Sequence, residues 1–250
     1  MPTMNGKLPL IILSSLSALA LASCGGAGDD AKEQAAIENI AAPDGKSWSQ
    51  VVSFDADGGA VMGNPEAPIQ LHEFGAFTCG HCAQFTKDSH EELKRDFVDT
   101  GRVSYKFTTF MLHPLDAVAG AIAKCAGPDR FFPLADATFL EHDAFLKGAQ
   151  EADQASIEQA MKLPPAQRFN ALAKGWGLDQ FYQQRGVPAA TIQQCLADVD
   201  NLTAVEKGTN KGVEDYNITG TPAFVINGQV ADGIASWGPL RDRLRTMGAR

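Results

Sequence analysis

Apolar positions along the chain fall into three textures. Leu8 to Ala22 is a nearly continuous apolar run behind a short stretch with one positive charge, Lys7. From Trp48 onward, short apolar runs alternate with polar positions. Between Leu115 and about Gly212, apolar residues recur at helical spacing. Alternation with period two marks half-buried strands, and recurrence every three or four residues marks amphipathic helices. Val51 to Phe54 and Ala60 to Met62 flank Gly58-Gly59, which predicts a hairpin. Ile69 to Phe74 reads as a strand, followed by helical spacing from Cys79 to Phe97. Arg102 to Phe110, with Val103, Tyr105 and Phe107 alternating, reads as a second strand.

The helical texture divides into Leu115 to Ala126, Phe131 to Leu146, Ser156 to Met161, Ala166 to Ala173, Leu178 to Arg185, Ala190 to Val199 and Ala204 to Val213. Strand character returns at Ala223 to Ile226, and a short strand is expected about Gln229-Val230. Between them lies Asn227-Gly228, the strongest short hairpin signal. Trp237 to Met247 closes the chain as a helix. The order is strand–helix–strand, a helical block, then hairpin–helix, which is an α/β arrangement.

The first apolar run is too short to span a bilayer as a stable helix, and with Lys7 before it has the pattern of an export signal. It ends Leu21-Ala22-Ser23-Cys24 before Gly25-Gly26, which resembles a bacterial lipobox. Residues 1–23 are therefore expected to be a lipoprotein signal peptide and Cys24 its lipidated residue; an ordinary cleavage site beside a stray Cys is the alternative. Residues 24–46 are rich in Ala, Gly, Asp and Glu and read as a flexible tether spanning roughly 25 Å. Export places the protein outside the cytoplasm, in the periplasm and on a bacterial membrane, where disulfides persist.

Composition narrows the class. Lys plus Arg total 21 against 30 Asp plus Glu, a formal charge of -9. This acidic balance lacks the basic footprint of a nucleic-acid binder. With Cys24 assigned to lipid, four of the 5 cysteines remain, Cys79, Cys82, Cys125 and Cys195. An even number outside the cytoplasm reads most economically as two pairs.

Cys79-Gly80-His81-Cys82 follows a strand and opens a helix, the context in which C-x-x-C is a redox motif. Free backbone N–H groups and the helix dipole at that position favour an anion, and the thiolate is the nucleophilic form. Cys82, one turn deeper, is placed to resolve a mixed disulfide, and His81 is expected to lend the thiolate a positive charge or a donor. Half a zinc site is the other use of such a pair, but no second pair lies at finger-like spacing.

Here the sequence resembles the DsbA family of extracytoplasmic thiol–disulfide oxidoreductases. The resemblance is carried by Glu73-Phe74 leading into Phe77-Thr78-Cys79-Gly80-His81-Cys82, and by Thr219-Gly220-Thr221-Pro222-Ala223-Phe224 before Asn227-Gly228. Met62-Gly63-Asn64-Pro65 and His113-Pro114-Leu115-Asp116 match one branch of that family. The resemblance implies a thioredoxin-like fold at 47–114 and 214–250, with an inserted helical domain at 115–213. It implies a cis-proline loop at Thr221-Pro222 that binds extended substrate, and a buried acid, Glu73, able to accept the proton of Cys82.

Cys125 and Cys195 sit among core-like residues and read either as buried free thiols or as a disulfide; the resemblance implies a structural disulfide. His113 reads as a loop or capping residue, and Trp48, Trp176 and Trp237 as packing residues. The resemblance further implies oxidation of cysteine pairs in secreted proteins by a monomer, with a membrane redox partner and no bound cofactor or metal. A reductase or isomerase of the same fold is the close alternative. A metal-handling lipoprotein using the pair as ligands is a more distant one.

Overall fold

A computed structural model of the protein describes residues 34–250. The expected signal peptide and Cys24 lie outside the described residues. Six strands form one sheet in the order β1-β2-β4-β3-β5-β6. They are β1 (Val52–Phe54), β2 (Ala60–Met62), β3 (Ile69–Gly75), β4 (Val103–Thr109), β5 (Ala223–Ile226) and β6 (Gln229–Val230). Only the central pair, β3 and β4, is parallel, with Glu73 opposite Phe107; the other neighbours run antiparallel. Parallel neighbours require a crossover. It is supplied by α1 (Gly80–Glu92), which runs on as a six-residue π-helical segment, Leu93–Val98. The wider turn carries Leu93, Phe97 and Val98 into the core.

Alternation gives the sheet two different faces. Ile69, Leu71 and Glu73 share one with Val103, Tyr105, Phe107, Phe224 and Ile226. This face is covered by α1, by α3 (Pro128–Leu140) and by α10 (Trp237–Thr246). Phe85 of α1 meets Phe224 at 4.8 Å between ring centres, Phe132 of α3 meets Tyr105 at 5.6 Å, and Trp237 meets Phe97 at 5.5 Å. The opposite face carries His72, Phe74 and Thr108 and is covered by α9 (Val199–Tyr216). That helix lies flush because it presents Gly208 and Gly212. A Cβ on either would come within 2.8 Å of Thr108 Cγ2 or Phe74 Cε1.

The remaining helices are α2 (Pro114–Cys125), α4 (His142–Gln150), α5 (Gln154–Met161), α6 (Pro165–Gly175), α7 (Leu178–Gln184) and α8 (Ala189–Ala197). Every residue of α2 from Leu115 to Ala123 is buried, as expected of a helix without a polar face. A disulfide joins Cys125 at its end to Cys195 of α8, with 5.9 Å between their Cα atoms.

The structure departs from the sequence pattern in three places. The helix expected over Phe131 to Leu146 is two, α3 and α4, broken at Glu141. The break lets His142 turn under the Phe77 carbonyl, with its Nε2 3.1 Å from that oxygen. The last helix of the predicted block, expected over Ala204 to Val213, runs from Val199 to Tyr216 and forms a layer of the α/β body, so the expected boundary at 213 falls inside it. Finally, the segment expected to be a free tether is bonded to the body from Gln34 onward. The Gln34 and Ile37 amides donate to the Thr246 and Gly248 carbonyls, and the Ile40 amide to the Thr100 carbonyl. Trp48 Nε1 and Arg102 Nε in turn donate to the Ile40 and Ile37 carbonyls. The apolar Ile37 and Ala42 pack on the core, and these side chains are what set this stretch apart from a polar linker.

Candidate active site

The loop between β3 and α1 is anchored on both flanks. Phe77 is buried among the rings of Phe107, Phe139 and Phe145. Its neighbour Thr78 donates from its amide (2.8 Å) and its hydroxyl (3.1 Å) to the Asp116 carboxylate. Asp116 lies in the first turn of α2, where it also accepts from the amides of Leu112 and His113. His113 is the N-cap of that helix, its Nδ1 accepting from the Leu115 amide at 3.1 Å. The loop therefore cannot shift without unseating α2, and it delivers Cys79 to the N-cap of α1.

The two thiols are free and lie in contrasting surroundings. Cys79 is 9% exposed and Cys82 wholly buried. The Cys79 Sγ accepts from the Cys82 amide at 3.4 Å and contacts the Thr221 carbonyl at 3.3 Å. Its pKa is lowered to about 5, chiefly by the hydrogen bond from the Cys82 thiol. Burial opposes the shift, while Thr221 and the amides of Cys82 and His81 assist it. The Cys82 thiol is pushed up, first by burial and then by its bond to Cys79 and by the charges of Glu73 and Cys79. One turn of helix thus holds an anion-favouring thiol at the rim and a proton-holding thiol beneath it.

Beneath the pair lies Glu73, 1% exposed. Tyr105 donates its hydroxyl to Glu73 Oε2 at 2.5 Å, while Oε1 is buried without a partner. Burial raises the carboxyl to about 8, Tyr105 pulls it down, and the charges of Cys79 and Asp136 add to the rise. Across the site, the peptide bond Thr221–Pro222 is cis, and the Thr221 hydroxyl is buried without a partner.

The structure thus brings Cys79, Cys82, Glu73, Thr221 and Pro222 together. His81 departs from expectation. Its ring is exposed, and its backbone N–H rather than its imidazole serves the Cys79 sulfur. The Cys125–Cys195 disulfide stands apart in the helical block, between α2 and α8. Among the described residues no three His, Cys, Asp or Glu side chains converge to hold a metal ion, and no helix is long and apolar enough to cross a membrane. Sequence reasoning missed two residues. Asp116 stood in the His113-Pro114-Leu115-Asp116 stretch, at a capping spacing from His113, but nothing there tied it to the cysteine loop. Tyr105 gave no signal beyond being a strand residue.

A family model described as thioredoxin matches residues 55–244. The chain belongs to the thioredoxin family. Among solved structures, a protein-disulfide isomerase from Novosphingobium aromaticivorans superposes on this family member with a TM-score of 0.73 at 28% identity, over 78% of this chain and 100% of that one. The Wolbachia pipientis alpha-DsbA1 structure, at 19% identity and a TM-score of 0.59, shares the fold over 76% of this chain and 91% of its own. The fold is thus DsbA-like, with the helical insertion between β4 and β5. A Rickettsia bellii relative, carrying the provisional name protein-disulfide oxidoreductase, is 26% identical over 186 residues, 74% of this chain and 63% of its own length. The match to the Rickettsia prowazekii counterpart covers 55% of that protein. The thioredoxin-family chain therefore spans less than two thirds of these curated relatives.

Proposed function

We propose that the protein is a thiol–disulfide oxidoreductase that oxidises cysteine pairs of proteins outside the cytoplasm through Cys79 and Cys82. The observation that carries this reading is the placement of the two thiols: Cys79 at the N-cap of α1, its sulfur accepting from the Cys82 amide, above a wholly buried Cys82, an arrangement that lowers the Cys79 pKa and raises that of Cys82. Stabilising the reduced pair's thiolate makes the disulfide a stronger oxidant.

In the oxidised protein, a substrate thiolate attacks Cys79 Sγ, which forms the mixed disulfide and breaks the Cys79–Cys82 bond. The departing Cys82 sulfur takes a proton from Glu73. A second substrate thiolate then attacks the substrate sulfur, and Cys79 leaves as the thiolate its helix N-terminus favours. Two electrons pass to the Cys79–Cys82 pair, and the substrate gains one disulfide. The Thr221 backbone beside Cys79 suits an extended substrate segment, and Pro222 follows it at the start of β5. A membrane-bound oxidant resets the pair, and Cys24 holds the protein at that membrane through lipid.

A second reading, disulfide isomerisation, is favoured by the description of the Novosphingobium structure as an isomerase. The test mixes oxidised protein with a reduced two-cysteine peptide. Stoichiometric peptide disulfide, abolished by Cys79→Ser, supports the oxidant. Shuffling of a mispaired disulfide with no net oxidation of the peptide would support the isomerase instead.

A further inference from the structure

Glu73 is sealed on all sides, yet its two oxygens stand in different surroundings. Oε2 is tied to the Tyr105 hydroxyl and Oε1 has no partner. The free oxygen lies 3.0 Å from where a Cβ on Gly75 would stand, at the β3 end that leads into Ala76 and the cysteine loop. Ala76 is also the residue whose backbone faces the Cys82 sulfur. The carboxyl therefore has one oxygen bonded to Tyr105 of β4 and a bare oxygen at the end of β3 that leads into the cysteine loop, and its charge is felt at Cys82.

Strand register explains the aim. Tyr105 pairs with Leu71 and Phe107 with Glu73, so Tyr105 stands two positions back on the same face and reaches along the sheet to the carboxylate. Its ring packs on Phe132 at 5.6 Å, and its strand position is paired with Met62 on β2. The other charged or titratable groups facing Glu73 are Cys79 and Cys82 of α1 and Asp136 of α3, which is ion-paired with Lys94. Cys79 and Asp136 disfavour its charge, and β5 contributes the apolar Phe224 opposite it. Tyr105 is the group that bonds the carboxylate form.

We infer that Tyr105 is a positioning residue for proton transfer at Cys82, its hydroxyl holding Glu73 so that the free oxygen exchanges a proton with the Cys82 sulfur. The inference rests on the proposal that Glu73 is the proton partner of Cys82. In the step concerned, Cys82 passes its proton to Glu73 Oε1 and its sulfur attacks Cys79 Sγ in a mixed disulfide, expelling the peptide as thiolate. Tyr105 gains and loses nothing; it stabilises the carboxylate before transfer and keeps it aimed.

The experiment traps a fluorescent cysteine peptide on Cys79 of the protein and follows its release by Cys82 from pH 5 to 10. The expected wild-type rate rises with pH as Glu73 ionises. Tyr105→Phe is expected to move that inflection up by about one pH unit, because it removes a hydrogen bond to the charged form. A 3,5-difluorotyrosine at position 105, a stronger donor of the same shape, is expected to move it down. Glu73→Gln is expected to abolish the inflection. If the inflection vanishes in Glu73→Gln but stays put in both Tyr105 variants, Glu73 is the partner and the role given to Tyr105 is wrong. If Glu73→Gln keeps the inflection, the reading beneath the inference fails and the inference with it. Thermal melts of each variant identify any that have not folded. The difluorotyrosine protein keeps the ring and the hydroxyl, so the inference is tested even where Tyr105→Phe unfolds.

Discussion

At Cys79, one thiol is worth most of the redox chemistry. A pKa of about 5 keeps the reduced form ionised at pH 7 by two powers of ten over the neutral thiol. That ionisation is roughly 2.7 kcal/mol, or ~60 mV of added oxidising power in a two-electron couple. Titration of the reduced protein by ultraviolet thiolate absorbance is expected to show one thiol with a half-point near 5 and none other below pH 8; a half-point near an ordinary 8.5 would contradict the account. Glu73 works in the opposite sense. Its folded pKa is raised from 4.5 to about 8, so the stability it contributes is present below 4.5 and lost as pH rises through 8. Glu73→Gln is therefore expected to raise the melting temperature by several degrees at pH 8 to 9, where the wild type buries a charge, and to change it little at pH 4. Equal effects at both pH values would mean that the carboxyl titrates normally. Cys79 and Cys82 were legible from their spacing, and Glu73 and Thr221-Pro222 from short flanking motifs. Tyr105 was not, because its role comes from a register between β3 and β4 that no local pattern encodes.

The elements that carry these residues are seated by close approaches. Asp116 ties the cysteine loop to α2 through four donors: the Thr78 amide and hydroxyl and the amides of Leu112 and His113. Asp116→Ala takes the acceptor away from four part-buried donors and is expected to cost about 1–3 kcal/mol, read from denaturant midpoints. A loss under ~0.5 kcal/mol would show that the loop holds itself. On the far face, Gly212→Ala would gain about 1 kcal/mol in an exposed helix. Here the new methyl meets the Phe74 ring at 2.8 Å, so the expected effect is a loss of ~1–3 kcal/mol. Most strands and helices were legible because alternation and helical spacing record which face is buried. The break at Glu141 was not, since Phe131, Leu134, Phe139 and Phe145 keep apolar spacing across it. It exists to bring His142 to the Phe77 carbonyl, a tertiary contact.

Across the whole molecule, the sheet and the helical block are joined by α2 and α9, and the block is closed by the Cys125–Cys195 bond. That bond spans 70 residues, and its loss is expected to lower stability by roughly 4 kcal/mol. At ~2–4 °C per kcal/mol for a chain of this size, Cys125→Ser/Cys195→Ser is expected to melt roughly 10 °C lower. Oxidation of a dithiol peptide at 20 °C is expected to remain intact in that variant, because neither sulfur touches the site. Everything proposed for this molecule turns on whether the Cys79–Cys82 pair is an oxidant. This is tested most directly by the reduction potential of that pair, equilibrated in glutathione buffers and read by mass of the alkylated Cys79 peptide, which keeps the second pair out of the signal. The expected value lies above roughly -150 mV, toward that of DsbA. A value below roughly -230 mV, in the range of glutaredoxins and thioredoxin, would contradict it.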